Sequence, residues 1–446
     1  MAALERYFLM TPGTKVAGYD RTPTELTDSL AAEGVDITFN ESVEAIPAEF
    51  KGCPDEVLVV YTPAIPDSHP QLRYFRDNGY EVVKRATVLG HISRNSKSLC
   101  FAGTHGKTTT SSMAAHILNT SPIGCNAFLG GVLRNYGTNF LLNKKSPYTV
   151  VEADEYDRSF HHLRPYIAVI TATDPDHLDI YGTEEEYLEG FARFTELVTP
   201  GGALVLHKGL KLKPRPREGV RVYTYSRDEG DFHASYIRSD HGVITFDFVY
   251  PDGIIRNIEL GVPVEINIEN AVAALAACYL SGAFDAAKAR QAIGSFQGAH
   301  RRFEVVYKEE GPQGRVMIDD YAHHPDELKA AISSVKALYP DRKLTVAFQP
   351  HLYTRTRDFA EGFAEALSLA DEVILLDIYP AREEPIPGVT SGIIFDRINV
   401  EKKTLIPLKD LIPTIKNRNF DLLLTAGAGD IGAVVPQLAA ALKAKE

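Results

Sequence analysis

The chain has 446 residues, 44% of them hydrophobic and 24% charged, with a formal net charge of −12. That length exceeds one hydrophobic core and fits about two to four domains. No apolar run approaches the ~20 residues of a membrane span, and the acidic balance argues against broad binding to nucleic acid or anionic membrane, leaving room only for a local basic pocket. The cysteines Cys53, Cys100, Cys125 and Cys278 are scattered without a CxxC pair, so neither a zinc constellation nor a disulfide framework is expected. The N-terminus lacks the apolar stretch of a secretory signal. A cytoplasmic protein is expected.

Short β-rich apolar runs are predicted as strands at residues 15–19, 56–61, 98–102, 148–151, 166–171, 203–206, 315–318, 344–348, 372–376 and 421–425, with helix-like runs between them. Such alternation indicates the α/β class, with parallel sheets covered on both faces. From about residue 221 to 266 the pattern changes to period two with turn residues between, which predicts an antiparallel patch on the middle of the chain. A polar stretch at 93–97 and a Gly-containing stretch at 294–301 divide the chain into three expected domains, 1–97, 98–296 and 297–446. The basic loop 208–217 (KGLKLKPRPR) reads as a solvated surface loop.

Residues 101–110 (FAGTHGKTTT) lie where a strand passes into a helix predicted over 108–118. A glycine-rich turn there aims backbone N–H groups and the positive helix end at a phosphate; Lys107 adds a mobile cation and Thr108 a hydroxyl for Mg²⁺. Gly103 and Gly106 have two residues between them, where the generic P-loop has four between its glycines. After the next two predicted strands come Glu152-Ala-Asp154-Glu155-Tyr-Asp157 and Asp174-Pro-Asp176-His177-Leu-Asp179. Ligands of open parallel sheets sit beyond the strands' carboxyl ends, and a metal on phosphate oxygens must be held beside the Lys107 loop, so Glu152 and His177 are its candidates. Asp157 and Asp179 read as caps or surface acids. Three later clusters also follow apolar strands or open a domain: Arg301-Arg302-Phe-Glu304, Asp319-Asp320-Tyr321-Ala-His323-His324, and Gln349-Pro-His351-Leu352-Tyr-Thr-Arg355-Thr-Arg357. Paired arginines and histidines there suit a site with phosphate on one side and a small carboxylate on the other, as in a ligase.

Taken in order, GTHGKTT, EADE, DPDHLDIYGT, NIENAVAA, HRRFE, DDYAHHP, FQPHLYTRTRD and GAGDIG resemble the Mur ligase family, and the DDYAHHP and QPH.Y.RTRD forms resemble its alanine-adding branch. The resemblance implies an N-terminal Rossmann-like domain for a UDP-sugar, a central ATPase domain and a C-terminal Rossmann-like domain for an amino acid. It implies an ATP- and Mg²⁺-dependent ligase that joins L-alanine to the lactyl carboxylate of UDP-N-acetylmuramate through an acyl phosphate, as a monomer or homodimer, with closure of the third domain keeping water out. Carried over, Gly103, Thr104, His105, Gly106, Lys107, Thr108 and Thr109 cradle the ATP phosphates; Thr108, Glu152 and His177 serve Mg²⁺; Asn267 and Asn270 meet adenine; Arg302 and Asp320 reach the nucleotide; His323 and Arg355 serve the amino acid.

Three departures accompany the resemblance. Ile266 stands where many relatives have a histidine before the adenine motif, and Leu352 where they have an arginine, which leaves Arg355 with more of the amino-acid carboxylate. Relatives also begin with a strand and a GxGGxGM turn ahead of the helix that reads here as residues 2–8. The expectation is therefore a first domain without that strand and turn, as in an N-terminally truncated form. No lysine occurs between Lys145 and Lys208, so the lysine that other Mur ligases carbamylate has no counterpart. The alternatives are a ligase that recycles the murein tripeptide and a truncated homologue that binds ATP but is impaired in UDP-sugar binding.

Overall fold

The computed structural model describes residues 1–443 except 177, 241, 242, 312, 382 and 419. The chain divides into two compact units. One comprises residues 1–236, 246–258 and 269–296; the other comprises 237–245, 259–268 and 297–446.

In the first unit, the Ala2–Leu9 helix leads into four short strands, β1 (Ala17–Tyr19), β2 (Asp36–Thr38), β3 (Leu58–Tyr61) and β4 (Glu81–Lys84). They pair in parallel as β1–β2 and β3–β4, two separate two-stranded sheets, so each strand has one neighbour. The helix is apolar on two sides. Leu4 packs with Val88, Phe128 and Phe140, while Ala2 packs with Leu30 and Val35.

A seven-stranded sheet follows, built from β5 (Lys97–Ala102), β6 (Asn126–Leu133), β7 (Thr138–Leu141), β8 (Tyr148–Glu152), β9 (Ile167–Ile170), β10 (Ala203–His207) and β11 (Arg221–Tyr225) in the order β11-β10-β9-β5-β8-β6-β7. All neighbours are parallel except β6 and β7. Central β5 has Leu99, Cys100, Phe101 and Ala102 wholly buried, as a strand covered on both faces requires. On one face Phe160, Tyr187, Phe191 and Phe194 pack against Ala168, Ile170 and Leu204. Phe160 meets Phe191 edge-on at 5.2 Å and stacks on Phe194 at 4.9 Å; truncating one such ring typically costs about 3–5 kcal/mol. On the Lys107–Thr120 helix, Met113, Ala114, Ala115 and Leu118 are buried, and the Cys278 thiol lies 3.7 Å from the Ala114 carbonyl.

The period-two stretch is only partly the patch that the sequence predicts. Residues 221–225 pair in parallel with β10 and close the large sheet, because their neighbours on β10 offer a full parallel register. The remaining strands, β12 (His233–Asp240), β13 (Val243–Tyr250) and β14 (Gly253–Glu259), form a three-stranded sheet in sequential order.

The second unit carries β15 (Glu304–Lys308), β16 (Val316–Asp320), β17 (Leu344–Phe348), β18 (Glu372–Leu376), β19 (Lys402–Ile406) and β20 (Leu422–Ala426) in the order β15-β16-β20-β17-β18-β19. Only β15 runs antiparallel, at an edge. Its core gathers Met317, Ala347, Ile374, Leu423, Ile431 and Leu438.

Candidate active site

The register of the large sheet brings three loops to one edge. Phe101 on β5 lies opposite Glu152 on β8, and Ala102 lies opposite Ile170 on β9, so the turn after β5 sits between the acidic segment after β8 and the one after β9. The turn needs its glycines. Gly103 has φ +139°, and a Cβ there would lie 2.7 Å from the Ala172 nitrogen; Gly106 has φ +81°, and a Cβ there would lie 2.9 Å from Asn270 Oδ1. Gly106 caps the Lys107–Thr120 helix without a side-chain bond, so the first helical N–H groups face the loop.

Lys107 Nζ donates to the Gly103 carbonyl at 2.7 Å, to the Thr104 carbonyl at 3.4 Å and to Glu155 Oε1 at 2.8 Å. Glu155 is 1% exposed, and its second oxygen is buried without a hydrogen-bond partner. Burial pushes the Glu155 carboxyl up to about 7 against the pull of the Lys107 charge, while that carboxylate holds the Lys107 ammonium above its ordinary value in spite of burial. Beside this pair, Thr108 Oγ1 donates to Glu152 Oε1 at 3.0 Å, and the Gly130 N–H donates to Glu152 Oε2 at 2.9 Å. A Cβ at Gly130 would lie 2.6 Å from the Glu152 carboxyl carbon, so the carboxylate occupies the space a side chain would take. Thr104 Oγ1 donates to the Asp174 carbonyl at 2.7 Å and lies 2.9 Å from the Tyr187 hydroxyl. His105 Nε2 is 4.0 Å from Asp174, and Thr109 is half-buried in the first helical turn. Thr110 Oγ1 donates to Asn270 Oδ1 at 3.1 Å, tying the phosphate-loop helix to the Ile266–Leu280 helix.

Lys107, Thr108, Glu152 and Asn270 are thus gathered round one loop. His177 lies outside the described residues. Asp157 pairs with Lys84 at 2.6 Å, consistent with its reading as a surface acid. Glu155 and Gly130 are not among the site residues expected from the sequence. The signal for Glu155 was present in the EADE motif, where two carboxylates stand three residues apart; nothing along the chain marked Gly130.

In the second unit, Asp320 ends β16 and accepts from the Phe303 N–H at 2.7 Å and the Ala322 N–H at 2.8 Å. Burial raises its carboxyl to about 6, against the Arg302 charge. The Tyr321 ring has the Arg301 and Arg302 guanidinium carbons each 5.3 Å from its centre. Arg301 also binds Asp319 at 2.8 Å and the Gly427 carbonyl at 2.6 Å. His323 Nδ1 is 2.9 Å from the Tyr321 carbonyl, and its ring lies 6.0 Å from that of His351, which stacks on Tyr379 at 5.7 Å. Burial lowers both imidazoles, His351 to about 4, and Arg355 is among the charges that reinforce this. His323, His351 and Arg355 therefore share one neighbourhood. Leu352 occupies φ +68°, ψ 138°, with its N–H on the Tyr379 carbonyl at 2.9 Å. Asn267, 6% exposed, donates to the Val262 carbonyl at 3.2 Å, and Ile266 is 52% exposed.

The donors at Thr108 and Glu152 are all oxygen, the set a hard divalent cation takes. Those residues fit Mg²⁺.

Fold and site together define an α/β phosphate-loop enzyme of the nucleotide-dependent ligase class. Three family descriptions match in series: "Mur ligase family, catalytic domain" at residues 1–97, "Mur ligase middle domain" at 101–278 and "Mur ligase, glutamate ligase domain" at 301–429. The chain belongs to the Mur ligase family. It is 55% identical over 446 residues to a UDP-N-acetylmuramate--L-alanine ligase of Phocaeicola vulgatus, covering 100% of this chain and 96% of the relative. Among solved structures, the UDP-N-acetylmuramate-alanine ligase MurC of Thermotoga maritima superposes with a TM-score of 0.83 at 25% identity, covering 100% of this chain and 97% of that one. A murein peptide ligase of Psychrobacter arcticus reaches 0.68 at 21% identity, covering 99% and 95%, a likeness of fold alone.

Proposed function

We propose that this protein is the ATP-dependent ligase that joins L-alanine to the lactyl carboxylate of UDP-N-acetylmuramate. The observation that carries the reading is the 55% identity to an alanine-adding relative along the whole chain, together with a phosphate loop whose lysine, hydroxyl and carboxylate are in place. The enzyme acts in peptidoglycan precursor synthesis. No described helix is long and apolar enough to cross a membrane.

A carboxylate is a poor acyl donor. Transfer of the γ-phosphoryl group to it breaks the bond to the ADP leaving group and gives an acyl phosphate; the alanine amine then attacks the acyl carbon, and phosphate departs. Phosphoryl transfer is governed by positioning and charge. In this reading Lys107 and the N–H groups of residues 103–109 hold the β- and γ-phosphates, and Glu155 keeps the lysine charged and close until phosphate oxygens replace its carbonyl acceptors. Thr108 and Glu152, with His177, would hold Mg²⁺, which when bound neutralises phosphate charge. Asn270 and Asn267 flank the base, Arg302 and Asp320 serve the nucleotide, and His323 with Arg355 takes the amino acid. Residues 1–97 would receive the UDP-sugar, 98–296 the nucleotide and 297–446 the amino acid.

The test is ADP release with UDP-N-acetylmuramate and either L-alanine or the murein tripeptide. Alanine-dependent release with none from the tripeptide is expected, and the opposite preference would overturn the assignment.

A further inference from the structure

At the end of the seven-stranded sheet opposite the phosphate loop lies a feature that the ligation does not use. Beside the N-terminal ends of β5, β9 and β10 is a cavity of about 370 Å³, lined among others by Arg94, Ser96, Lys97, Arg164, Tyr166 and Thr199. Lys97 opens β5 and Ala102 closes it before the phosphate loop; at ~3.3 Å per residue the two ends are roughly 17 Å apart. The cavity is therefore separate from the catalytic loop.

Three of its lining residues are cations and none is a carboxylate. Among the described residues, Arg94, Lys97 and Arg164 have no carboxylate oxygen within 4.0 Å. The basic loop 208–217 adds a fourth charge. Its Lys208 pairs with Glu229, Lys211 with Glu184 at 2.8 Å, and Arg215 with Glu189 and Glu196 at 2.7 Å each. Among the described residues Arg217 has no such partner, and burial, with the charges of Arg94 and Arg217, holds the Arg164 guanidinium below its ordinary pKa.

The cluster is held in place. Arg164 Nη1 donates to the Leu163 carbonyl at 2.7 Å and to the His161 carbonyl at 3.3 Å, and its backbone N–H donates to Ser93 Oγ at 3.0 Å. The Ser93 hydroxyl is buried and in turn donates to the Gly90 carbonyl at 2.8 Å. Lys97 Nζ rests 5.1 Å from the centre of the Tyr166 ring. Arg94 stands in the last turn of its helix, Arg85–Arg94, where the helix dipole favours a cation; that accounts for one charge of the four. Gathering the rest in a chain of net charge −12 costs free energy through mutual repulsion, a cost that an anionic ligand would offset.

We propose that this cavity is a second anion site, which takes a small molecule carrying at least two phosphate groups. Guanidinium forks match phosphate oxygens in pairs, and a single carboxylate would leave most of the charge uncompensated. The volume lies toward the lower end of the ~300–1,000 Å³ range of small-ligand cavities. A nucleic-acid strand would need an extended basic stripe, which the overall charge opposes.

The test titrates inorganic pyrophosphate into the full-length protein, with the phosphate loop first saturated by Mg²⁺ and a non-hydrolysable ATP analogue. One saturable site is expected, with orthophosphate binding more weakly. Arg94→Gln and Lys97→Gln, whose side chains make no hydrogen bond among the described residues, should each weaken pyrophosphate at least tenfold without lowering the melting temperature, and leave the affinity for the ATP analogue unchanged. Three results would overturn the proposal: no saturable binding at physiological ionic strength, binding that both variants leave intact, or pyrophosphate that displaces the ATP analogue. Equal affinity for orthophosphate would overturn the requirement for two phosphate groups.

Discussion

Lys107 has three N–H donors, and in this structure all three have acceptors: two carbonyls of its own loop and the Glu155 carboxylate. A cation held so close to the loop is already positioned for phosphate, because only the carbonyl contacts need to be exchanged. Lys107→Ala should lower kcat by at least ~10²-fold, the scale of removing one preorganised charge contact in a closed site, in a protein that remains folded by circular dichroism; turnover within a few fold of wild type would remove Lys107 from the chemistry. At the amino-acid end, Arg355→Lys should raise KM for alanine about tenfold or more while KM for ATP changes little, since an ammonium cannot reproduce a guanidinium fork and bonds to charged groups are worth ~1.5–3 kcal/mol. If the two KM values rise together, Arg355 belongs to the nucleotide instead. Leu352→Arg tests the departure beside it: tighter alanine binding would mark the leucine as a lost contact.

Among the elements, β6 contributes more than an edge to the large sheet. Gly130 on β6 sends its N–H to Glu152 and has no Cβ where the carboxylate lies, so strand β6 sets the aim of an acid at the end of strand β8. Gly130→Ala would push the carboxylate away from Thr108. The Mg²⁺ concentration for half-maximal activity should rise about tenfold or more, as when a group that orients a metal ligand is lost; unchanged Mg²⁺ dependence would separate Glu152 from the metal. In the second unit, the turn before the Tyr353–Asp358 helix keeps Leu352 at φ +68°, a conformation that costs a residue with a Cβ roughly 1–3 kcal/mol. The Tyr379 carbonyl, which accepts the Leu352 N–H, holds it there.

For the whole molecule, the pH dependence of stability follows from which carboxyls folding raises and which it lowers. Glu155 is raised from 4.5 to about 7 by burial, so its contribution is fully present below its unfolded value and is lost as pH rises through about 7. The displacement corresponds to roughly 3 kcal/mol. Asp320, raised to about 6, acts in the same direction. Glu309, held at about 2 by Arg315, acts in the opposite one, and its contribution disappears only in strong acid. Lys107, whose pKa is raised, loses its contribution only in the alkaline range. Glu155→Gln should therefore flatten the stability profile between about pH 4.5 and 7 and leave the acid limb intact. Parallel urea-unfolding curves for variant and wild type at every pH would show that Glu155 is not the group that titrates.

The sequence by itself determined the α/β class, the phosphate turn and the order of the motif clusters. Each of these rests on local physics: apolar runs at strand spacing, glycines where the chain must turn tightly, and polar residues placed at strand ends. Thr108 and Glu152, 44 residues apart, were both legible because each follows a strand of its own. Only the tertiary structure decided what depends on strand order and register. It put β5 between β8 and β9, made residues 221–225 a parallel edge of the large sheet, and brought Gly130 against Glu152. Likewise, the charge of Glu155 depends on a burial that no local pattern records, and Arg94, Lys97 and Arg164 come to line one cavity only when distant segments of the chain meet.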